Sequence, residues 1–376
     1  MKKRTMVFPN WLLLTIALFI LTIILLLFFI YTYSSEKTAK GFEDEIYVVS
    51  DSVEYEKLKQ SLETALEKEI YTPEPEKVFT LRRVNPSEIE NFRDKKNILL
   101  VAPLNSKSSA SGLIKTVVDS STENKLQQDS NLIVYKNNLW IKNQLVTVLS
   151  APTEEQLKSK ISQNAENLIA SYQKSSDDRL RSYLYEPRLE QKNIQGRFLK
   201  NYGWIIYVRR DFRIIKESPA ERFVELGRFI NGKLEERIFI NWLDDASAEY
   251  LNPDSIRNFR NRITKKIIQP NDDTSFVVVA ENYFTVNEVN FNNRYALFTQ
   301  GLWELKNKGM GGPFVNYMFF DETKNRIYMI DGSIYAPKYY KRNLIQQVDV
   351  TLQSFRTETE LSKDRIEDLL DEAGED

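Results

Sequence analysis

The run from Trp11 to Tyr33, WLLLTIALFILTIILLLFFIYTY, holds 23 residues, no charge, and only threonine as a polar interruption. As a helix rising 1.5 Å per residue it would be about 34 Å long, enough to cross a hydrocarbon core of about 30 Å. It reads as a transmembrane helix in contact with membrane lipid through residues 11–33. Trp11 at one end and Tyr31 and Tyr33 at the other suit the two membrane interfaces. Lys2, Lys3 and Arg4 precede the run, so the N-terminus is expected in the cytoplasm and the rest of a single-pass protein outside it, in the periplasm. A cleaved signal peptide would have a shorter apolar region and a small-x-small site. The following YSSEKTAKG is a poor one, although Ser34 and Ser35 are small. A buried core helix is the other alternative, but the run is apolar all round.

The chain has 376 residues with neither cysteine nor histidine. This removes disulfides, thiol nucleophiles, Cys/His zinc sites and every His-dependent triad. No cofactor or metal-ligating motif is found, and chemistry would have to rest on carboxylates, Lys or Tyr with shifted pKa values. Beyond the apolar run, 49 basic residues face 53 acidic ones. A near-neutral surface of mixed sign offers no footprint for nucleic acid.

The pattern after the anchor is α+β. Residues 1–33 are a basic stub and anchor, and 34–44 a polar tether. Residues 45–178 read as a small α/β sandwich. Its strands are expected at Glu45–Ser50, Val78–Val84, Asn97–Ala102, Leu132–Tyr135 and Gln144–Ser150. Asp51 and Glu54 have capping-box spacing. Pro152-Thr153-Glu-Glu-Gln156 opens a helix read as continuous to Tyr185, and Asn105–Gly112 reads as a loop. Residues 179–195 are a charged connector. Residues 196–356 read as a larger antiparallel sheet with helices on one face. Asn231-Gly232 marks a hairpin there, and Phe276–Phe284 and Asn287–Leu297 are read as separate strands. A helix follows Asn252-Pro253 with Ile256, Phe259, Ile263 and Ile267 on one face. The tail, residues 357–376, is acidic and reads as solvated and partly disordered, with a marginal helix through Leu361, Leu369 and Leu370 as the alternative.

Few segments stand out as sites. Gly309-Met-Gly-Gly-Pro313 puts Gly311, Gly312 and Pro313 in a segment that is either an anion-holding loop or a strand-entry turn. Lys341, Arg342 and Asn343 open the last helix and are taken with these glycines as a surface for a ligand or partner. An ion pair from this basic cluster to Asp321 or Asp331 is the structural alternative. Asp321 and Asp331, on neighbouring strands, are weak candidates for a catalytic carboxylate pair, and Gly332 reads as a bulge.

The segment MGGPFVNYMFFDETKNRIYMIDGSIYAPKYYKRNLIQQVDVTLQSF resembles the signature of a Bacteroidota envelope family, domain of unknown function 4837. The stretches EIYVVSDSVEYEKL, YTPEPEKVFTLRRVNPSEIENF and KNILLV resemble it too, so the likeness runs from about Glu45 to Phe355. Members are usually lipoproteins anchored through an N-terminal Cys, whereas this chain has a spanning helix instead. The resemblance implies a location outside the cytoplasm and assigns no activity. The strand order of the second domain is similar to the PsbP/Mog1-like sandwich, a fold used mainly for binding and assembly. The expectation is a non-catalytic, membrane-tethered envelope module that binds an envelope protein or cell-surface component. A carboxylate-based hydrolase of an envelope polysaccharide and a lipid-binding module are the alternatives.

Overall fold

Two strands that are buried along their whole length, β5 (Asn97–Pro103) and β7 (Leu145–Ala151), pair in parallel at the centre of the first domain. Strands of this kind need helices on both faces of the sheet. The computed structural model describes residues 15, 18–27, 37–70, 72–129, 131–230, 232–267 and 275–374. Residues 18–27 form helix α1, whose leucine, isoleucine and phenylalanine side chains are all exposed. Among the described residues no helix is long and apolar enough to cross a membrane. The rest of the expected span, with Trp11, Tyr31 and Tyr33, lies outside the described residues.

The first sheet runs β4 (Thr80–Val84), β1 (Glu45–Val49), β5, β7, β6 (Val134–Asn137). All neighbours are parallel except β6, which is antiparallel to β7. Helices α2 (Ser52–Leu66), α5 (Glu154–Gln163) and α6 (Ala165–Leu184) pack Leu58, Leu62, Leu157, Ile161, Leu168 and Tyr172 onto one face. Helices α3 (Ser109–Val117) and α4 (Ser120–Gln128) supply Ile114 and Leu126 to the other. A two-residue ribbon, β2 (Glu69–Ile70) with β3 (Glu76–Lys77), projects from this domain.

Local chemistry departs from the sequence reading at three points. Asp51 precedes α2 but does not cap it; its Oδ2 accepts the Ala110 N–H at 2.8 Å and so serves α3. That helix starts inside the segment expected as a loop, because Ser108 caps it by accepting the Ser111 N–H. The long helix expected from Thr153 does open on the Thr153/Gln156 capping box but breaks at Asn164. Lys160 of α5 is also buried, with Nζ donating to the carbonyls of Ser150 (2.8 Å), Leu132 (2.9 Å) and Asp129 (3.3 Å). Burial pulls its pKa down, and the three carbonyls account for its place in the core.

Helix α7 (Lys192–Tyr202) and the short strand β8 (Trp204–Ile205) lead into the second domain. Its seven antiparallel strands run β12 (Val277–Phe291), β13 (Arg294–Leu305), β14 (Met310–Asp321), β15 (Arg326–Tyr335), β11 (Leu234–Leu243), β10 (Phe223–Ile230), β9 (Arg213–Ser218). The β12–β13 hairpin turns at Asn292 and Asn293, both with positive φ (52° and 65°). Left-handed geometry at both central residues is what a two-residue hairpin turn requires, and Asn tolerates it. The two strands expected at Phe276–Phe284 and Asn287–Leu297 therefore give way to this longer hairpin.

Helices cover both faces of this sheet, not one. Helix α8 (Pro253–Ile267) packs Ile256, Ile263 and Ile267 against Phe239, Met318 and Met329. Helix α9 (Arg342–Leu352) packs Val348 and Leu352 on the opposite face, where Trp204, Phe319, Tyr328 and Phe355 fill the space. Gly332 in β15 marks no bulge; pairing is regular on both sides. A Cβ there would meet Val348 Cγ1 at 2.1 Å, so glycine lets α9 approach the sheet. The acidic tail forms a helix as well, α10 (Lys363–Glu372), seated on α7 through the buried Leu369 and the Lys192–Asp368 and Arg365–Glu190 ion pairs.

Under α8 lies a buried ion pair. Arg260 donates through Nε and Nη2 to Asp331 Oδ2 and Oδ1 at 2.7 and 3.0 Å, and Asn316 Nδ2 donates to Oδ2 at 3.0 Å. Asp331 has no exposed surface. Its partner is thus Arg260, not the Lys341–Arg342 cluster. Removing one member of such a pair strands a buried charge at a cost of about 3–5 kcal/mol, whereas apolar replacement of both is often neutral. Arg260→Ala and Asp331→Ala are each predicted to lower unfolding free energy by about that amount. Denaturant titration should show that Arg260→Met combined with Asp331→Leu costs far less than the two single changes together.

Candidate functional site

Asp321 and Asp331 do not meet. Strands β14 and β15 pair Asp321 with Arg326 and Asn316 with Asp331, about 17 Å apart along the strands at a strand rise of about 3.4 Å. The alternation also puts them on opposite faces. Asp331 follows Met329 on the α8 face, and Asp321 follows Phe319 on the α9 face. The paired-carboxylate site expected there is absent. Asp321 Oδ1 instead accepts the Thr323 N–H at 3.0 Å in a turn.

The glycine segment is not a loop. Gly311, Gly312 and Pro313 lie within β14, paired to Glu304, Trp303 and Leu302. The turn sits earlier, where Asn307 and Gly309 have φ of 67° and 63°. A Cβ on Gly312 would stand 1.9 Å from the Ile334 carbonyl oxygen, so the glycine serves close strand approach.

Lys341 and Arg342 are 6% and 5% exposed. They face the first domain rather than solvent. Glu76 reaches over from β3 and accepts the Lys341 N–H at 2.8 Å and the Arg342 N–H at 2.7 Å. A carboxylate at the N-terminus of α9 satisfies otherwise orphaned donors and complements the helix dipole. Arg342 Nε donates to the Val78 carbonyl at 2.9 Å, and Asn343 Nδ2 to Asp44 Oδ1 at 3.2 Å. The surface expected to meet a partner is the seam between the two domains.

That seam frames a cleft. Helix α6 of the first domain lies along α9 of the second, joined by polar contacts. Gln346 Nε2 donates to Asp177 Oδ1 at 2.7 Å, and Arg181 Nη2 to Gln353 Oε1 at 2.6 Å. Beyond α9 the strands β12–β14 continue, and α6 faces them across a space of about 460 Å³. Gln173 and Arg181 of α6 line one wall; Phe291, Phe298, Gln300 and Tyr317 of the sheet line the other, with Asp349 of α9 and Gln353 just past its end between. A second, narrow space of about 60 Å³ shares Gln173, Gln300 and Asp349 with it and reaches Arg342, Gln346 and Phe314.

Asp349 is the carboxylate of this cleft. Tyr317 Oη donates to its Oδ1 at 2.8 Å and Gln353 Nε2 to its Oδ2 at 3.1 Å. Burial, reinforced by the negative charge of Asp177, pushes its pKa up to about 7 against those hydrogen bonds. Burial and the adjacent carboxylate push the Tyr317 hydroxyl up, so it stays a donor. Asp177 is raised by burial too, opposed by its bond from Gln346. Two amides from opposite domains face the same space, and neither the Gln173 nor the Gln300 side chain has a hydrogen-bond partner among the described residues. Arg342 Nη2 is buried and unpartnered at the inner end. Among the described residues no group of three acidic side chains is placed to hold a metal ion. Sequence reasoning passed over Gln173, Gln300, Tyr317 and Asp349. Asp349, flanked by Val348 and Val350 in an amphipathic helix, was the one detectable signal.

An ordinary aspartate titrates near 3.9. Asp349, held up to about 7, takes up a proton on folding at pH values between the two. Its stabilising contribution is full below about pH 4 and is lost as pH rises through about 7. Thermal melts of wild type and Asp349→Asn should show wild-type Tm falling relative to the variant from about pH 4 to about pH 8. A constant difference would contradict the assignment.

Residues 190–354 match the model of a family described as domain of unknown function (DUF4837), and residues 39–184 match a second, domain of unknown function (DUF8532). The likeness seen in the sequence as one family thus divides between two models. No curated protein matches the chain. Among solved structures, one from Bacteroides thetaiotaomicron is 9% identical with a TM-score of 0.24, covering 42% of this chain, which spans 46% of that one. The Saccharomyces cerevisiae Ran-binding protein Mog1p is 10% identical with a TM-score of 0.28, over 43% of this chain and 93% of that one. Mycobacterium tuberculosis LpqN, described as involved in cell envelope biogenesis, is 9% identical with a TM-score of 0.25, over 40% and 81%. Two family models thus divide the chain between them, the DUF8532 model matching the first domain and the DUF4837 model the second.

Proposed function

We propose that this chain is a membrane-tethered, extracytoplasmic module that binds an envelope component in the cleft between its two domains and breaks no bond in it. The observation that carries the binding reading is the pair Gln173 and Gln300. They project from different domains into one space, with hydrogen-bonding capacity that the described residues leave unused. A cleft at a domain junction, within the range of about 300–1,000 Å³ and with a few convergent polar groups, is the usual setting of a ligand site. Hydrolysis of a polysaccharide needs two carboxylates facing the substrate. Of the residues that line this cleft, Asp349 alone is a carboxylate.

The tether rests on the apolar run and on the exposure of every large apolar side chain from Leu18 to Leu27. A helix apolar on all sides is at home in lipid, not water. Lys2, Lys3 and Arg4 ahead of it favour a cytoplasmic N-terminus. Full-length protein in intact cells is predicted to stay with membranes through carbonate extraction. A reporter fused after Glu372 is predicted to be active only outside the cytoplasm. Release of the module into the soluble fraction without its first residues, or a reporter active inside, would contradict the tether.

A further inference from the structure

The cleft has a chemical character that narrows its ligand. Its floor is aromatic: Tyr317 lies between Phe291 and Phe298, with ring centroids 4.5 and 4.7 Å away. Of these rings Phe298 is the partly exposed one, beside Val289. Around the floor stand carboxamides. The side chains of Gln173 and Gln300 are free of hydrogen-bond partners among the described residues. Asn290 and Asn292 are fastened by one end, Asn290 accepting the Asn293 N–H and Asn292 donating to the Phe355 carbonyl. Gln353 is held between Arg181 and Asp349. The cleft carries charge of both signs, Arg181 and Arg342 opposite Asp349, which a pKa of about 7 leaves partly ionised at neutral pH, with Asp177 behind it.

We infer that the cleft binds a neutral carbohydrate, one or a few sugar rings of a glycan, with a ring face on Phe298 and hydroxyl groups shared among Gln173, Gln300 and Asp349. The assignment rests on the binding reading above and names the ligand class for that same site. A sugar ring presents apolar C–H faces that pack on aromatic faces, and its hydroxyls both donate and accept. Primary amides also do both. They therefore match hydroxyls in either direction, which ammonium or phosphate groups do not. Asp349, whose two oxygens already accept from Tyr317 and Gln353, keeps lone pairs for a hydroxyl donor. Arg342 Nη2, a buried donor without a partner, asks for an acceptor at the inner end, such as a ring or hydroxyl oxygen. An anionic ligand would meet Asp349 and Asp177, and a cationic one would meet Arg181 and Arg342. A neutral polyol meets neither penalty. A zwitterionic peptide is the competing ligand, but it leaves the aromatic floor and the paired free amides without a specific role.

The test uses full-length protein in detergent and four probes: maltotetraose, cellotetraose, chitotetraose and tetra-alanine. Isothermal titration is expected to detect at least one tetrasaccharide and not the peptide. Gln173→Ala and Gln300→Ala should each weaken that binding roughly tenfold, the scale of one well-made hydrogen bond. Lys59→Ala, on the exposed side of α2, should leave it unchanged. Saccharide binding unaltered in both glutamine variants would overturn the inference. So would peptide binding that the variants abolish, although the cleft would then remain the binding site. If no probe binds, the ligand class assigned here falls. The binding reading falls with it only if both variants still capture envelope material from detergent extracts as wild type does.

Discussion

One carboxylate fixes how the two domains meet. Glu76 leaves the first domain on a short ribbon and closes the N-terminus of α9 in the second, accepting from two backbone N–H groups and standing 3.7 Å from the Lys341 ammonium. The contact is local in space but joins residues 265 positions apart. It sets the height of α9 against the first domain, and α9 in turn carries Gln346, Asp349 and Gln353 to their partners on α6 and β14. Were α9 to shift by one turn, Asp349 would leave Tyr317 and the wall formed by α6 would no longer oppose Gln300. The cleft is therefore a property of the junction, not of either domain alone.

The junction is polar, and this shapes what it can do. Apolar burial within each domain fills separate cores, with Leu99, Leu149 and Tyr172 in one and Trp204, Phe319 and Phe355 in another. Between them run hydrogen bonds among Gln, Asp, Arg and Asn side chains. Polar interfaces within a chain resemble those of transient complexes and allow relative domain motion. A ligand that touches Gln173 and Gln300 together would draw the two walls onto itself. The buried charges elsewhere, Arg260 with Asp331 and Lys160 with three carbonyls, find their partners inside single domains.

Much of the fold was legible because its signals are local. The apolar strands NILLVA and LVTVLS and the Thr153/Gln156 box each carry their own geometry. The misplaced parts depend on partners far away in sequence. The amphipathic stripe of α8 shows that the helix packs on something, not which face of the sheet it takes. The signal for helices on both faces was FVNYMFF in β14, apolar on alternate and intervening residues alike. The acidic tail looked solvated because its charge outweighed the helical spacing of Leu361, Leu369 and Leu370, and nothing local shows the groove beside α7 that buries Leu369. Lys341 and Arg342 looked like a surface because nothing near them in sequence shows that Glu76 arrives from the other domain. The cleft residues were invisible for the same reason: Gln173 and Gln300 are unremarkable in their own segments and acquire meaning only by facing each other.

The absence of cysteine from the chain makes the facing of those two side chains directly measurable. Gln173→Cys combined with Gln300→Cys would place the only two thiols of the protein on opposite walls. A short bifunctional thiol reagent is predicted to join them within one molecule, giving a single compact species on denaturing gels and abolishing capture of envelope material, while each single variant treated alike forms no such link. If the paired thiols remain unlinked in native protein, the two domains do not form the cleft described and its role in binding is wrong.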